Sequence, residues 1–249
     1  MERPSYPHPR PALSVLLPAY NEEACIEAVV RETVCVLHGM GRPFEILVVD
    51  DGSTDGTPTL LKTRLLDIPE LRALRLPVNS GQSAALGAAF RAARADVFVT
   101  LDADGQNDPA DIPALLAKLD SCDLCCGMRA NRKDPFSKRI GSRLANAARN
   151  LALRERVHDT GCTLKAFRAS LARDLPMQFR GMHRFLPALM AMDGARIAEI
   201  PVNHRPRAAG KSKYTNWGRL KETLWDLWAV RWMQKRHRPI RAEEISWKR

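Results

Sequence analysis

The stretch that decides the fold is Phe44-Glu45-Ile46-Leu47-Val48-Val49 running into Asp50-Asp51-Gly52-Ser53-Thr54-Asp55. Four consecutive β-branched or leucine residues read as a strand buried on both faces, and the polar Asp-Gly cluster stops it abruptly. Upstream, Leu13 to Leu17 (LSVLL) repeats the pattern and is closed by Pro18. Between the two strands, Asn21 to about His38 reads as a helix, with Asn21 as N-cap and Glu22 and Glu23 at the positive end of the dipole. Downstream, Thr57 to Leu66 is expected to be a helix, Leu71 to Leu76 a strand, Ala84 to Ala93 a helix and Asp96 to Leu101 (DVFVTL) a fourth strand. Strands alternating with helices in this way predict a parallel α/β sheet covered on both faces. Beyond it the pattern predicts a helix over Ile112 to Leu119, a strand over Asp123 to Met128 and a helix over Ser142 to Leu153. Short strands at Thr163 to Phe167 and Arg196 to Pro201 flank a helix near Leu186 to Met192.

Parallel sheets bind ligands at the carboxyl ends of their strands. Three strands here end on polar signatures: Pro18-Ala19-Tyr20-Asn21-Glu22, Asp50 to Asp55, and Asp102-Ala103-Asp104-Gly105-Gln106. A lone Asp-Gly is usually a turn, but two acidic strand ends would be brought together by the sheet. Alternate residues leaving a strand point the same way, so Asp102 and Asp104 stand side by side. Two such carboxylates repel unless a cation lies between them. A hard ion, Mg²⁺ or Mn²⁺, takes one or two carboxylates and completes its shell with phosphate oxygens. Gln106 is spaced to reach the same ion or a phosphate.

The chain has 249 residues, 45% hydrophobic and 27% charged, enough for one large domain with a short appendage. Its net charge of +11 is uneven. Arg129, Arg132, Lys133, Lys138, Arg139 and Arg143 face only Asp134 in one stretch, and a second basic excess fills Arg205 to Arg249. Such clusters suit nucleic acid, anionic lipid or a phosphorylated substrate; few aromatics interleave them, which argues against nucleic acid. Of six cysteines, Cys122 and Cys125 form a CxxC without a second ligand pair, so all are expected to be buried, reduced thiols. The Pro-rich Met1 to Pro11 has no apolar core and reads as a tail, not a signal peptide. No apolar run reaches the ~18 residues that a membrane-spanning helix needs. His158, His183 and His204 lack partners at metal spacing and are expected to be structural or to support site residues from behind.

SVLLPAYNEE, VVDDGSTDGT, NSGQSAALGAAF and LDADGQNDP, in this order, resemble the family 2 glycosyltransferases. GMRANRKDPFSKRIGSRLAN, DTGCTLKAFR and HRPRAAGKSKY are similar to the subgroup that includes dolichyl-phosphate mannosyltransferase and undecaprenyl-phosphate glycosyltransferases. The resemblance runs from Leu13 to about Tyr214. It implies a Rossmann-like glycosyltransferase-A domain over 13–215, after a tail over 1–12 and before a basic amphipathic segment over 216–249. It implies a nucleoside-diphosphate sugar as donor and a polyprenyl phosphate as acceptor. Pro18, Tyr20, Glu22, Asp51, Ser53, Gly81, Gln82 and Asp102 would bind the donor, and Asp102, Asp104 and Gln106 the metal. Arg129, Arg139, Arg207, Ser212 and Lys213 would meet the acceptor phosphate. Asp104, Asp159 and Arg207 would be catalytic.

A phosphomonoester has its second pKa near 6 and is already nucleophilic, so Asp159 is expected to position basic groups rather than act as base. Where relatives carry transmembrane helices, this chain has Trp217 to Met233. Leu220, Leu224, Leu227, Trp228 and Trp232 recur at helical spacing, with Arg219, Glu222 and Asp226 opposite. Either this helix packs on the domain, or it lies on an anionic membrane surface or a membrane-protein partner at the cytoplasmic face. Two other activities fit less well: transfer to a sugar hydroxyl in polysaccharide synthesis, and a non-catalytic basic nucleotide- or nucleic-acid-binding protein.

Overall fold

The computed structural model describes residues 10–130, 146–206 and 216–238, with side chains on the last segment from Thr223 onward. Its strands and helices, in chain order, are β1 (Leu13–Ala19), α1 (Ile26–Gly39), β2 (Phe44–Asp50), α2 (Thr57–Thr63), β3 (Leu71–Arg75), α3 (Gln82–Ala92), β4 (Val97–Thr100), α4 (Ile112–Lys118) and β5 (Leu124–Arg129). They continue with α5 (146–153), β6 (Lys165–Arg168), α6 (Leu186–Met192), β7 (Ile197–Val202) and α7 (Asn216–Arg236). The strands form one sheet in the order β3-β2-β1-β4-β6-β5-β7. All neighbours are parallel except β6, which runs antiparallel to both β4 and β5. The α/β alternation is therefore as expected, with one inverted strand that periodicity alone does not reveal.

Burial on both faces explains why β1 and β2 read as unbroken apolar runs. Val15 and Leu17 point into a cluster with Ile26, Val29 and Val30 of α1 and Ile112 and Leu115 of α4. Leu16, Leu47 and Val49 point the other way, towards Ala85, Ala89 and Phe90 of α3 and Leu186, Leu189 and Met190 of α6. In that second layer Phe90, Phe98 and Phe167 meet with ring centroids 5.8–6.1 Å apart. Cys122, Cys125, Cys126 and Cys162 lie in these layers and Cys25 is buried outside them, whereas Cys35, expected to be buried with the rest, is exposed on α1.

A local expectation is corrected here. Asn21 does not cap α1. It takes a left-handed φ of 53°, and its side-chain oxygen accepts from Thr54 N at 2.8 Å. The Glu22 carbonyl instead accepts from Cys25 and Ile26, and the helix starts at Ile26. A polar residue that can tie two loops together is more useful there than as a cap.

The C-terminal helix carries apolar residues on two faces, and of the expected apolar stripe Leu227 turns inward while Leu224, Trp228 and Trp232 face outward. Leu227, Val230 and Met233 pack on the α3–α6 layer, with Val230 fully buried. Asp226 lies against Gly181 on the protein side. Leu224, Trp225, Trp228 and Trp232 are exposed, between 53% and 66%. The i, i+3, i+7 spacing of the three tryptophans gives them a face of their own. Leu220, Arg219 and Glu222 lie outside the described side chains, as do Trp217 and the basic residues after Arg238. Among the described residues, no helix is long and apolar enough to cross a membrane.

Candidate active site

The carboxyl ends of β1, β2, β3 and β4 share one edge of the sheet, and the first three signatures interlock there. Asp51, buried, accepts from Ser80 N at 2.7 Å, Gly81 N at 2.8 Å and Asn79 Nδ2 at 3.0 Å. Burial pushes its carboxyl up, and the two backbone amides pull the other way. These bonds fix the loop after β3 onto the loop after β2. Gly52 makes the approach possible: at φ 69° a Cβ would stand 2.6 Å from the Val78 carbonyl carbon. Ser53, also buried, accepts from Asn21 N at 2.8 Å and donates its own N–H to Asp50 at 3.0 Å. Its hydroxyl thus ties the β1 loop, which bears half-buried Pro18, Tyr20 and Glu22, to the β2 loop. Glu22 N donates to Thr57 Oγ1 at 3.0 Å.

Asp102 and Asp104 follow β4. Asp104 is buried and accepts from Gln106 N at 3.0 Å, which shapes the turn. Asp102 is half-buried and accepts from Gln82 Nε2 at 2.9 Å, so the start of α3 reaches the acidic pair as expected. Its carboxyl is pushed up to about 6, first by burial, then by the Asp104 charge, with Glu22 adding a smaller push. Mutual repulsion of this kind is what a divalent cation relieves, and the donor set fits one. No group of three or more Asp, Glu, His or Cys side chains able to hold a metal occurs among the described residues. The chain thus offers two hard carboxylates and leaves other positions to water or substrate oxygens, which suits Mg²⁺ or Mn²⁺. The Gln106 amide, expected among the ligands, stands with its Nε2 3.5 Å from His204 Nε2.

Three participants, Arg205, Lys165 and Glu199, escape sequence reasoning. His204 reaches the acidic loop because residues 203–205 run back along it. Asn107 and His204 form an isolated bridge, Arg205 N donates to Gln106 O at 2.8 Å, and Asn203 Nδ2 donates to Asp108 at 2.9 Å. Arg205 pairs with Asp108 at 2.7 Å and with both carboxylate oxygens of Glu32 on α1. Buried Lys165 lies beneath the pair, its ammonium bonded to the Cys162 carbonyl, and its charge favours ionised Asp102. A lysine in the apolar run Leu164 to Phe167 was the available signal. The third is Glu199, described below.

On the same edge of the sheet, Arg129 ends β5 and grips Asp159 in a two-pronged pair, Nε–Oδ2 at 2.7 Å and Nη2–Oδ1 at 2.8 Å. Both side chains are largely buried. Gly161 allows the guanidinium through: a Cβ there would stand 2.9 Å from Arg129 Nη2. Glu199 on β7 holds the same loop, accepting from His158 N at 2.9 Å, Asp159 N at 3.2 Å and the His158 ring at 2.7 Å. Thr163, four residues on, donates to Asn107 at 2.9 Å, and this links the Asp159 loop to the acidic turn. His183 has the structural role expected of it, with Nδ1 2.8 Å from Ser83 Oγ. Arg139, Arg207, Ser212 and Lys213 lie outside the described residues.

Comparison with known proteins now decides the family. Residues 14–175 match the model of glycosyl transferase family 2. This chain belongs to that family. It is 38% identical, over 89% of its length, to the undecaprenyl-phosphate 4-deoxy-4-formamido-L-arabinose transferase of Pseudomonas aeruginosa (strain LESB58), and spans 65% of that relative. It is 38% identical, over 81% of its length, to the dodecaprenyl-phosphate galacturonate synthase of Rhizobium johnstonii, and spans 61% of it. Among solved structures it resembles glucosyl-3-phosphoglycerate synthase from Mycobacterium tuberculosis, crystallised with Mn²⁺, UDP and glucosyl-3-phosphoglycerate. That likeness has a TM-score of 0.66 at 22% identity and covers 90% of this chain and 80% of the other. It establishes the glycosyltransferase-A-like fold.

Proposed function

We propose that this family 2 glycosyltransferase moves a sugar, with inversion, from a nucleoside-diphosphate sugar to a polyprenyl phosphate at the cytoplasmic face of a membrane. Two relatives at 38% identity are polyprenyl-phosphate sugar transferases or synthases by name. The observation that carries the reading is the Arg129–Asp159 pair on the active edge of the sheet. A carboxylate gripped by both prongs of an arginine is poorly set up to take a proton from a sugar hydroxyl. It is well set up to hold a guanidinium in place, and a guanidinium matches phosphate geometry.

In this reading the acceptor phosphate is the nucleophile. Its oxygen bonds to the anomeric carbon from the face opposite the leaving group, and the bond from that carbon to the diphosphate breaks. At neutral pH the acceptor is largely a dianion, so no general base is required. The chain must instead bring two anionic groups together. Arg129, with Arg139, Arg207, Ser212 and Lys213, would serve the acceptor; the loops bearing Pro18, Tyr20, Glu22, Asp51, Ser53, Gly81 and Gln82 would serve the donor. Asp102 and Asp104 would hold Mg²⁺ or Mn²⁺, whose charge would offset that of the departing diphosphate. The exposed Leu224, Trp225, Trp228 and Trp232, with exposed Lys235, Arg236 and Arg238 after them, would rest on anionic lipid.

The test is transfer of labelled sugar from a panel of UDP- and GDP-sugars, with Mn²⁺, to undecaprenyl phosphate and to free oligosaccharides. Transfer to the lipid phosphate, abolished by EDTA, is expected. Efficient transfer to oligosaccharide with none to the lipid overturns the acceptor, and full turnover in EDTA with no retained metal overturns the cofactor.

A further inference from the structure

Between residues 153–158, the end of α6, the start of β7 and α7 lies a groove of about 930 Å³. Met128, Leu153, Val157, Met192 and Ile197 give it an apolar lining. Arg154, Arg156 and Arg231 stand around it. Its two carboxylates are committed elsewhere: Glu155 to Arg149 at 3.1 Å, Glu199 to His158 and the backbone of the Asp159 loop. The groove therefore presents hydrocarbon with a positive surround.

Its two ends matter as much as its lining. One end includes His158 and Glu199, which adjoin Asp159 and so the Arg129 guanidinium. The other includes Arg231 and Gln234 of α7, the helix whose outward side carries the exposed tryptophans, with His237 just after it. An amphiphile with its phosphate at Arg129 would find apolar surface leading away from the phosphate and towards that helix. A soluble anion would use only the first end, and a purely apolar ligand gains nothing from the arginines.

We propose that this groove seats the isoprenoid chain of the acceptor, with the first units beside His158 and later units beneath α7. The inference rests on the acceptor assigned above and adds where its hydrocarbon lies. It also gives an open apolar channel on a sheet edge a specific occupant.

The experiment uses the full chain in detergent micelles and a prenyl phosphate bearing a benzophenone on its second or third isoprene unit. After irradiation, labelled peptides are mapped by mass spectrometry. Labelling is expected within residues 153–158, 191–197 and 231–237. Ala191→Trp adds an indole to the groove wall from an exposed position on α6, and should lower labelling about tenfold. The dephosphorylated prenol probe should label the groove weakly. Labelling confined to other peptides, or undiminished in a folded Ala191→Trp protein, overturns the groove. So does a dimer in light scattering that hides these peptides and that Ala191→Trp dissociates, since a second copy then fills the site. Sugar transfer measured on the same samples separates the two ideas. Intact transfer with labelling elsewhere rejects the groove alone, whereas a labelled groove with no transfer to any prenyl phosphate rejects the acceptor reading.

Discussion

The β1–β4 half of the sheet and the β5–β7 half hold their active edges by different kinds of bond. In the first, neutral donors do most of the work. Asp51 is held by two backbone amides and an asparagine, Asp102 by a glutamine, and Ser53 receives the Asn21 amide. In the second, charges meet charges: Arg129 with Asp159, Arg205 with Glu32 and Asp108, His158 with Glu199. Neutral donors orient a carboxylate without cancelling it, which preserves negative charge for a cation. Under the proposed function, an ion pair would fix an arginine where phosphates approach, and the two halves would meet ligands of opposite sign.

The largest expected effect breaks the first half. Asp104→Asn should lower turnover by about 10²–10³, the scale for losing a principal electrostatic contact in a transition state. Its melting temperature should stay near that of the parent; retention of more than half the activity would remove the acidic pair from the chemistry. Asp159→Asn probes the second half. Stripping the charge from a largely buried pair should cost about 3 kcal/mol of stability in urea unfolding. Its turnover should fall less than that of Asp104→Asn. A folded Asp159→Asn enzyme as inactive as Asp104→Asn would make the carboxylate a base and erase the contrast. Smaller again is the double change Trp225→Ser, Trp228→Ser. Both residues are exposed, so unfolding should barely move, while binding to vesicles rich in phosphatidylglycerol falls about tenfold and weakens further with salt. The smallest effect concerns the thiols. Burial pushes Cys125 and Cys126 up to about 12 and raises Cys122 and Cys162 as well. Hardly any thiolate exists at these positions at pH 8, so iodoacetamide should modify Cys35 and spare the other five in the native protein.

The β1–β4 half was readable because its signals are local. Each buried strand is a continuous apolar run, and each polar loop follows within a few residues, so Asp51, Asp102 and Asp104 could be named from order alone. What stayed hidden depends on distance along the chain. Glu199 reaches the Asp159 loop from 40 residues away, and Arg205 reaches Glu32 across 173. No periodicity encodes such meetings. Nor does the run Leu164 to Phe167 reveal that β6 is inverted, since a strand buried on both faces looks alike in either direction. The tryptophans of α7 left two readings open for a related reason. Helical spacing identifies a face but not its neighbour, and Leu227, Val230 and Met233 took the core side.

The inverted strand has a consequence for how the chain assembles. β5 is completed at Arg129, but its inner neighbour in the sheet is β6, which begins at Lys165, and its outer neighbour is β7, which begins at Ile197. β1 to β4, by contrast, pair among themselves within the first 100 residues. During synthesis, the edge formed by β1 to β4 can close early, while β5 must wait unpaired for sequence made much later. Long-range pairings of this sort are slow, and unpaired apolar strands are where nascent chains stick to one another. The wait falls on Leu124-Cys125-Cys126, so aggregation during expression should be traced to this segment.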